Sequence, residues 1–216
     1  MVETMAYAGE VPWHGLGKRV LPDLTPAQMM DEAGVNWTVS KVPAYANVNG
    51  IQVPVNRSAL VRDSDGVVLD VVGDDWHPTQ NSDAFEFFHD FVAAGDMEMH
   101  TAGSLREGKI VWALAKVKDS FTINGKDKVD SYLLFSNPQM YGKSIDVRFT
   151  PIRVVCNNTL TLSLRTASEN AVRVSHRTAF DAEVVKETLG LARNKMGQYQ
   201  EYAQYLTSKR YNGESI

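Results

Sequence analysis

The sequence predicts an α+β fold in which antiparallel β-meanders are backed by two or three helices, with a long helix near the C-terminus. Segments rich in β-branched residues recur in both halves of the chain, and the Asn-Gly and Asp-Gly pairs between them favour hairpin turns. Other stretches place apolar residues at helical spacing behind a capping residue and before a glycine. A chain of 216 residues suits one domain, or one domain with a small appendage.

Two helices are predicted in the first half from their end signals. Thr25 is the expected N-cap of the first, with Pro26 at the first helical position, Gln28 completing a capping box and Gly34 ending the helix. The second is expected to run from Asn81 to Ala94 behind an Asn or Ser cap. Its apolar stripe consists of Ala84, Phe87, Phe88, Phe91 and Val92.

The strands of the first half follow the first helix. They are expected in WTVSKVPAY, GIQVPVNRSALVRD and GVVLDVVGDDWH, with turns at Asn49-Gly50 and Asp65-Gly66. In the second half, hairpins are expected to turn near Glu107-Gly108 and at Asn124-Gly125.

The remaining elements lie in the last third of the chain. SIDVRFTPIRVVC is expected to be a strand, with Pro151 tolerated only at an edge, a bulge or a strand start. NNTLTLSL fits neither the strand nor the helix period cleanly and could form a helix capped by Asn157 or Asn158. AVRVSHR resembles a short strand, and Asp181 to about Tyr205 is predicted to be one long helix with a broad apolar stripe.

The predicted organisation is an irregular N-terminal arm over residues 1–23, a single α+β domain over 24–208 and a polar tail over 209–216. With 44% hydrophobic and 22% charged residues, the composition is that of an ordinary soluble globular protein. No run of 18 apolar residues and no signal-peptide pattern is present, so we expect a cytoplasmic protein with no membrane partner.

The charge is distributed unevenly along the chain. Residues 1–140 hold 11 Lys and Arg against 19 Asp and Glu, whereas residues 141–216 hold 11 against 7. Between Tyr141 and Arg177 the only acidic residues are Asp146 and Glu169. Either the acidic N-terminal portion folds against this basic segment and neutralises it, or the segment is free to bind an anion from outside.

The basic segment also alternates with apolar and aromatic positions, as in RFTPIRVVCNNTLTLSLR. Guanidinium groups bind phosphates bidentately, and aromatic rings stack on bases without demanding a sequence, so this pattern is typical of a groove for single-stranded nucleic acid. The candidate nucleic-acid-binding residues are Lys143, Arg148, Phe149, Arg153, Arg165, Arg173 and Arg177.

Evidence for catalysis is weak in the sequence, and no catalytic residue, metal site or cofactor is predicted. The five histidines are scattered without metal-ligand spacing. Asp74 and Asp75 beside Trp76 and His77 could form an acid-base or metal pocket, but an Asp-Asp pair after a glycine is also an ordinary strand-to-loop turn. Cys156, the only cysteine, follows two valines and is predicted to be a packed core thiol.

A family resemblance runs through nearly the whole chain in order. It is carried by PWHGLG, GVVLDVVGDDWHPTQNSDAFEFF, TAGSLREGKIVWALAKV, YLLFSN and above all TPIRVVCNNTL. These segments resemble the phage and plasmid-like proteins grouped as domain of unknown function family 932. The resemblance implies a product of a phage, prophage or plasmid acting in a bacterial cell, with no assigned activity. At the level of the fold, the strand-rich, arginine-bearing core is similar to single-strand annealing proteins of the Rad-fifty-two type.

These observations favour a DNA-metabolism protein of a phage or mobile element that binds single-stranded DNA and promotes annealing as a homo-oligomer. The alternative is a non-catalytic interaction protein that acts on a host regulator or defence factor through its acidic N-terminal portion. An enzyme acting on nucleic acid has the least support.

Overall fold

Strands dominate the structure. The computed structural model describes residues 2–118, 121–123, 127–129, 132–166 and 171–189. Its strands are β1 (Val2–Tyr7), β2 (Lys18–Arg19), β3 (Val39–Val48), β4 (Ile51–Arg62), β5 (Val67–Val72), β6 (Met97–Leu105), β7 (Ile110–Val117), β8 (Phe121–Ile123), β9 (Asp127–Val129), β10 (Tyr132–Pro138), β11 (Ile145–Thr150) and β12 (Ala171–Val174). Its helices are α1 (Pro26–Glu32), α2 (Asn81–Glu86), α3 (His89–Ala93) and α4 (Asn157–Arg165), and residues 182–189 are also helical.

A seven-stranded sheet forms the centre of the described structure, in the order β12-β11-β10-β7-β6-β1-β2. Neighbouring strands are antiparallel except for the short parallel pair of β1 and β2. The predicted α+β class with antiparallel strands is therefore confirmed.

Alternate residues of each strand point to opposite faces of this sheet. The side chains of both faces are buried. Leu133 and Phe135 of β10 belong to one buried cluster, which also contains side chains of α1 and α2. Leu134, between them, belongs to a second cluster with Trp112 of β7 and Leu160 of α4. Helices α1 to α3 thus pack on one face and α4 on the other.

A second, three-stranded sheet has the order β3-β4-β5 and a small core of its own around Leu60, Leu69 and Trp76. Its predicted turns are confirmed, and Asn49 and Gly50 both have positive φ, 51° and 84°, as a two-residue hairpin turn of type I′ requires. The β6–β7 hairpin, the strand β12 and the capping box of α1 are confirmed as well.

The predicted helix over Asn81 to Ala94 is wrong in one respect, because α2 and α3 are separate helices. The helix is interrupted at Phe87 and Phe88, which are both buried. Both residues keep right-handed helical dihedral angles, φ −52° and ψ −33° at Phe87 and φ −84° and ψ −11° at Phe88, and both rings enter the same core cluster. The N-cap is Gln80 rather than Asn or Ser, and its backbone N–H donates to Asp83 Oδ2 at 3.0 Å.

The strand predicted across SIDVRFTPIRVVC ends at Thr150. Pro151 lacks a backbone N–H and cannot extend the ladder, so residues 151–156 leave the sheet without regular structure. They lead into α4, whose N-cap is Cys156 and not Asn157 or Asn158. Thr159 Oγ1 accepts from the backbone N–H groups of Val155 and Cys156, each at 3.0 Å, and so closes the start of the helix.

The predicted irregular arm over residues 1–23 is only partly irregular. Val2–Tyr7 forms a strand of the central sheet and Lys18–Arg19 extends it. Met5 and Tyr7 enter one core cluster and Ala6 the other, which is the alternation of a strand covered on both faces.

The last predicted elements extend past the described residues. Residues 182–189 are helical, whereas the rest of the helix predicted to Tyr205, the tail over 209–216 and the turn at Asn124-Gly125 lie outside the described residues. Within the described part of the chain, no helix has the length and apolar character needed to cross a membrane.

Candidate anion-binding site

Arg148, central to the predicted nucleic-acid surface, is buried. Only 2% of the residue is exposed. Its Nε and Nη2 donate to the two carboxylate oxygens of Asp146 at 2.6 and 2.7 Å, and its Nη1 donates to the carbonyls of Ser163 and Thr166 at 2.8 and 2.9 Å. The guanidinium therefore anchors the C-terminal end of α4 to the central sheet, and we remove Arg148 from the candidate surface.

Phe149 does not share a groove with Arg148 either. It points to the opposite face of β11, where it packs against the cluster that contains Val147 and Phe135. A partly buried ring on that face cannot stack on a base held by cations on the other side, so Phe149 is also removed.

Arg153 is partly engaged by the N-terminal loop. Its Nη2 donates to the carbonyls of Glu10 at 2.6 Å and Ala8 at 3.3 Å. This contact fixes the loop that follows β1 against residues 151–156.

Arg165 and Arg173 are exposed near the end of α4 and on β12. Arg173 shares Asp146 with Arg148, with Nε to Oδ2 at 3.0 Å, and its side chain is 66% exposed. β12 is an edge strand of the sheet. Arg173 Nη2 donates to the carbonyl of Leu164 at 3.3 Å, so Arg173 and the neighbouring Arg165 lie on the same open margin.

Lys143 and Arg177, the last two predicted residues, line one polar pocket of about 310 Å³, which we call the cationic pocket. It lies where the two sheets meet. Its walls come from four segments, namely Arg57 on β4, Gly73 with Asp75 and Trp76 after β5, residues 141–144 between β10 and β11, and residues 175–177 after β12.

Three cations and one carboxylate set the charge of the described pocket wall. Arg57 and Lys143 are exposed and form no ion pair with the described residues. Arg177 Nε lies 3.4 Å from Asp75 Oδ2, and both side chains are largely exposed. An exposed ion pair is worth less than about 1 kcal/mol, so an anionic ligand can compete with Asp75 for Arg177.

The inner wall consists of two stacked rings. The rings of Trp76 and His176 are 4.2 Å apart and nearly parallel, at 12°. Backbone hydrogen bonds hold the two segments together, since the N–H of His77 donates to the carbonyl of His176 at 2.6 Å. The carbonyl of His77 in turn lies 3.1 Å from His176 Nδ1.

Two buried ring nitrogens of this wall, Trp76 Nε1 and His176 Nε2, form no hydrogen bond with the residues that the structure describes. His176 is 1% exposed. Burial lowers the pKa of His176 below its ordinary value, and the carbonyls of His77 and Pro138 offset this only in part. The imidazole is therefore mainly neutral at pH 7.

Gly73 and Asp70 shape the pocket opening. A Cβ at Gly73 would lie 2.9 Å from Asp75 Oδ1 and 3.4 Å from an Arg57 guanidinium nitrogen, so glycine leaves the space that both side chains occupy. Asp70 Oδ2 accepts from the backbone N–H of Tyr141 at 2.8 Å and ties the turn carrying Lys143 to the smaller sheet. Tyr141 itself is 63% exposed at the rim.

Sequence reasoning missed Arg57, the third cation. It lies 86 positions before Lys143, and its neighbours on β4 give no local sign of an anion site. The sequence also suggests an acid-base or metal pocket around Asp75 and Trp76; in the structure this segment contributes one carboxylate and one ring to a cationic wall.

Cys156, predicted to be a packed core thiol, is only half-buried at the start of α4. Burial raises the pKa of the thiol, but hydrogen bonds with Thr159 and Asn158 outweigh it and leave the pKa below its ordinary value. The thiol lies on the margin of the cluster around Leu160, outside the cationic pocket.

Comparison with known proteins places the chain in a family without an assigned activity. No curated protein and no solved structure matches it. A family model described as a domain of unknown function, DUF932, matches residues 68–215, and the chain belongs to this family.

Proposed function

We propose that the protein binds single-stranded DNA through the cationic pocket. The observation that carries the proposal is that Arg57, Lys143 and Arg177 come from three separate segments yet line one polar cavity with a single described carboxylate. Phosphate oxygens are the ligands that a cluster of guanidinium and ammonium groups prefers.

The rim supports a nucleic-acid ligand over a simple anion. Tyr141 is exposed two residues before Lys143, which gives a base a ring to stack on beside the cation that contacts its phosphate. Arg173 and Arg165 lie on the β12 margin, four and twelve residues before Arg177. They extend the positive surface beyond the size of one phosphate, as binding of a continuous DNA strand requires.

Annealing is the activity we propose for this binding. A protein that holds a strand by its phosphates leaves the base edges free to pair with a second strand, and binding without sequence preference suits that role. The resemblance to phage and plasmid proteins and to annealing proteins supports a role in the DNA metabolism of a mobile element.

The test is fluorescence anisotropy with labelled oligo(dT) and mixed-sequence oligonucleotides over a salt series. Lys143→Glu and Arg57→Glu should each weaken binding about tenfold, the value of one charge-assisted hydrogen bond. The factor should be the same for every sequence. The slope of log affinity against log salt should fall by about 0.7 per lost phosphate contact.

Lys118→Glu is the matched control. Lys118 is exposed just after β7, at the end of the central sheet away from the cationic pocket, and its reversal changes the net charge by the same amount. Equal losses of affinity in all three variants would mean that net charge alone sets the affinity, and would contradict binding at the cationic pocket. Competition with inorganic phosphate and dTMP separates a strand-binding site from a mononucleotide site. Absence of oligonucleotide binding by the wild-type protein at low salt would refute the proposal.

A further inference from the structure

The β3–β4 hairpin extends away from the body of the protein. Residues 51–57 of β4 are all exposed, although strands normally alternate between buried and exposed positions. In the described structure, this half of the hairpin therefore has no packing partner on either face.

The two faces of the hairpin differ in chemistry. Val48 pairs with Ile51 and Ala46 with Val53, and strand alternation places Val55 on the same face. The opposite face carries Asn47 with Gln52, Tyr45 with Pro54, and Asn56. Ile51 is 68% exposed and Val48 51%, so the apolar face is open. We call the face formed by Ala46, Val48, Ile51, Val53 and Val55 the apolar hairpin face.

No charged residue occurs between Lys41 and Arg57. Exposed edge strands are usually protected by charged side chains, and the apolar hairpin face has none. A nucleic acid or a highly charged peptide would find no counter-charge there. The alternation of apolar and polar residues is typical of a strand with one face buried against apolar side chains.

The surface is large enough for a protein interface. β4 has 12 residues and spans about 40 Å. β5 pairs only with its last five residues, Ser58–Arg62, so the sheet is two strands wide along the exposed hairpin and three strands wide nearer the body. The apolar hairpin face alone measures roughly 160 Å², and the whole face of the small sheet, which also carries Arg57, measures on the order of 500 Å² before the relief of the side chains is counted. A face of this size matches the largest apolar patches of typical monomers, which are often functional. Exposed Val68 and Val71 on β5 add to the apolar surface of the same small sheet.

We propose that the apolar hairpin face packs against the same face of a second copy of this chain about a two-fold axis. A two-fold contact needs only one self-complementary surface. Since this one is apolar and uncharged, two copies meet without like-charge repulsion. Two sheets can pack in this way about 10 Å apart.

The proposed dimer also positions the two cationic pockets. Arg57 lies two residues after Val55, in the irregular part of β4 opposite Ala44, and lines the cationic pocket. Each copy would present its pocket at the border of the interface, one on each side of the axis. Two strands of DNA would then be held by one dimer, although the dimer itself does not depend on DNA binding.

Light scattering coupled to size exclusion tests the interface. The wild-type protein should be a dimer at micromolar concentration, and Ile51→Lys or Val53→Lys should be monomeric because each places two ammonium groups in the apolar contact. Gln52→Lys is the matched control, with the same charge change on the opposite face of the same hairpin, and should remain a dimer. A monomeric wild-type protein, or equal dissociation by Gln52→Lys, would overturn the proposal.

Crosslinking tests the two-fold arrangement. In a Cys156→Ser background, Val53→Cys treated with a bismaleimide should give covalent dimers and nothing larger. A ladder of higher species would show head-to-tail association and contradict the two-fold axis. Monomeric Val53→Lys should still bind oligonucleotides in anisotropy measurements, because the cationic pocket of each copy is complete without its partner. Loss of the dimer therefore tests the interface, and loss of oligonucleotide binding tests the pocket.

Discussion

Arginine side chains with similar sequence surroundings have different roles in this protein. Arg148 and Arg173 both lie among alternating apolar residues in the basic segment between Tyr141 and Arg177. Arg148 is sealed between β11 and α4 with Asp146, whereas Arg173 reaches the same carboxylate from the exposed side. A buried charge persists only if it is paired and hydrogen-bonded, and the carbonyls at the end of α4 complete the partners of Arg148.

Replacing Arg148 should therefore affect stability and leave nucleic-acid affinity unchanged. Arg148→Met should lower the free energy of unfolding by about 3 kcal/mol, because the buried Asp146 loses its bidentate partner and keeps only the exposed Arg173. The double variant Asp146→Asn, Arg148→Met should recover part of the loss by removing a buried carboxylate charge that Arg173 alone compensates only in part. Urea unfolding gives the stability, and anisotropy gives the affinity of the folded fraction. A large loss of affinity with normal stability would return Arg148 to the binding surface.

Protein stability should depend on pH through His176. Because its pKa in the folded protein is lowered from 6.5, the unfolded chain takes up the proton first as the pH falls. The contribution of His176 to stability is thus complete above 6.5 and is lost as the pH falls through the lowered folded pKa.

The melting temperature should accordingly fall between neutral pH and mildly acidic pH. His176→Gln should flatten this part of the curve, whereas exposed His89→Gln should keep the wild-type slope. Identical slopes in all three proteins would show that burial of His176 does not govern how the melting temperature depends on pH. Differential scanning fluorimetry across that range is sufficient.

At the scale of elements, the sequence predicted what local signals determine. The capping box at Thr25 and the turn at Asn49-Gly50 depend on residues three positions apart or fewer, and both are present in the structure. The break between α2 and α3 falls at Phe87 and Phe88, where the sequence has no proline or glycine to signal it, and both rings pack with residues distant in sequence. Strand β1 depends on β6, about 100 residues away, and on Gly103, where a Cβ would clash with the backbone of Thr4 and the ring of Trp112. Such long-range constraints leave no periodic pattern in a short window.

At the scale of the whole molecule, the cationic pocket arises from the meeting of two sheets. Lys143 and Arg177 were predicted from local charge density, but Arg57 belongs to the smaller sheet and reaches the pocket only through the tertiary fold. The same fold turned two predicted residues, Arg148 and Phe149, toward packed interiors. Composition can identify a basic segment, whereas burial decides which of its side chains remain available to a ligand.

The balance of charge across the pocket gives the last prediction. Asp75 competes with a bound phosphate for Arg177, so Asp75→Asn should strengthen binding of single-stranded DNA. An exposed ion pair contributes about 0.2 to 1 kcal/mol, and the expected gain is therefore up to about fivefold at low salt, shrinking as salt screens the pair. Asp74→Asn is the matched control, because Asp74 is the adjacent exposed carboxylate and does not line the pocket. Anisotropy titrations of both variants give the comparison. An equal gain from Asp74→Asn would mean that the field of the whole surface, and not the pair of Asp75 with Arg177, sets the affinity.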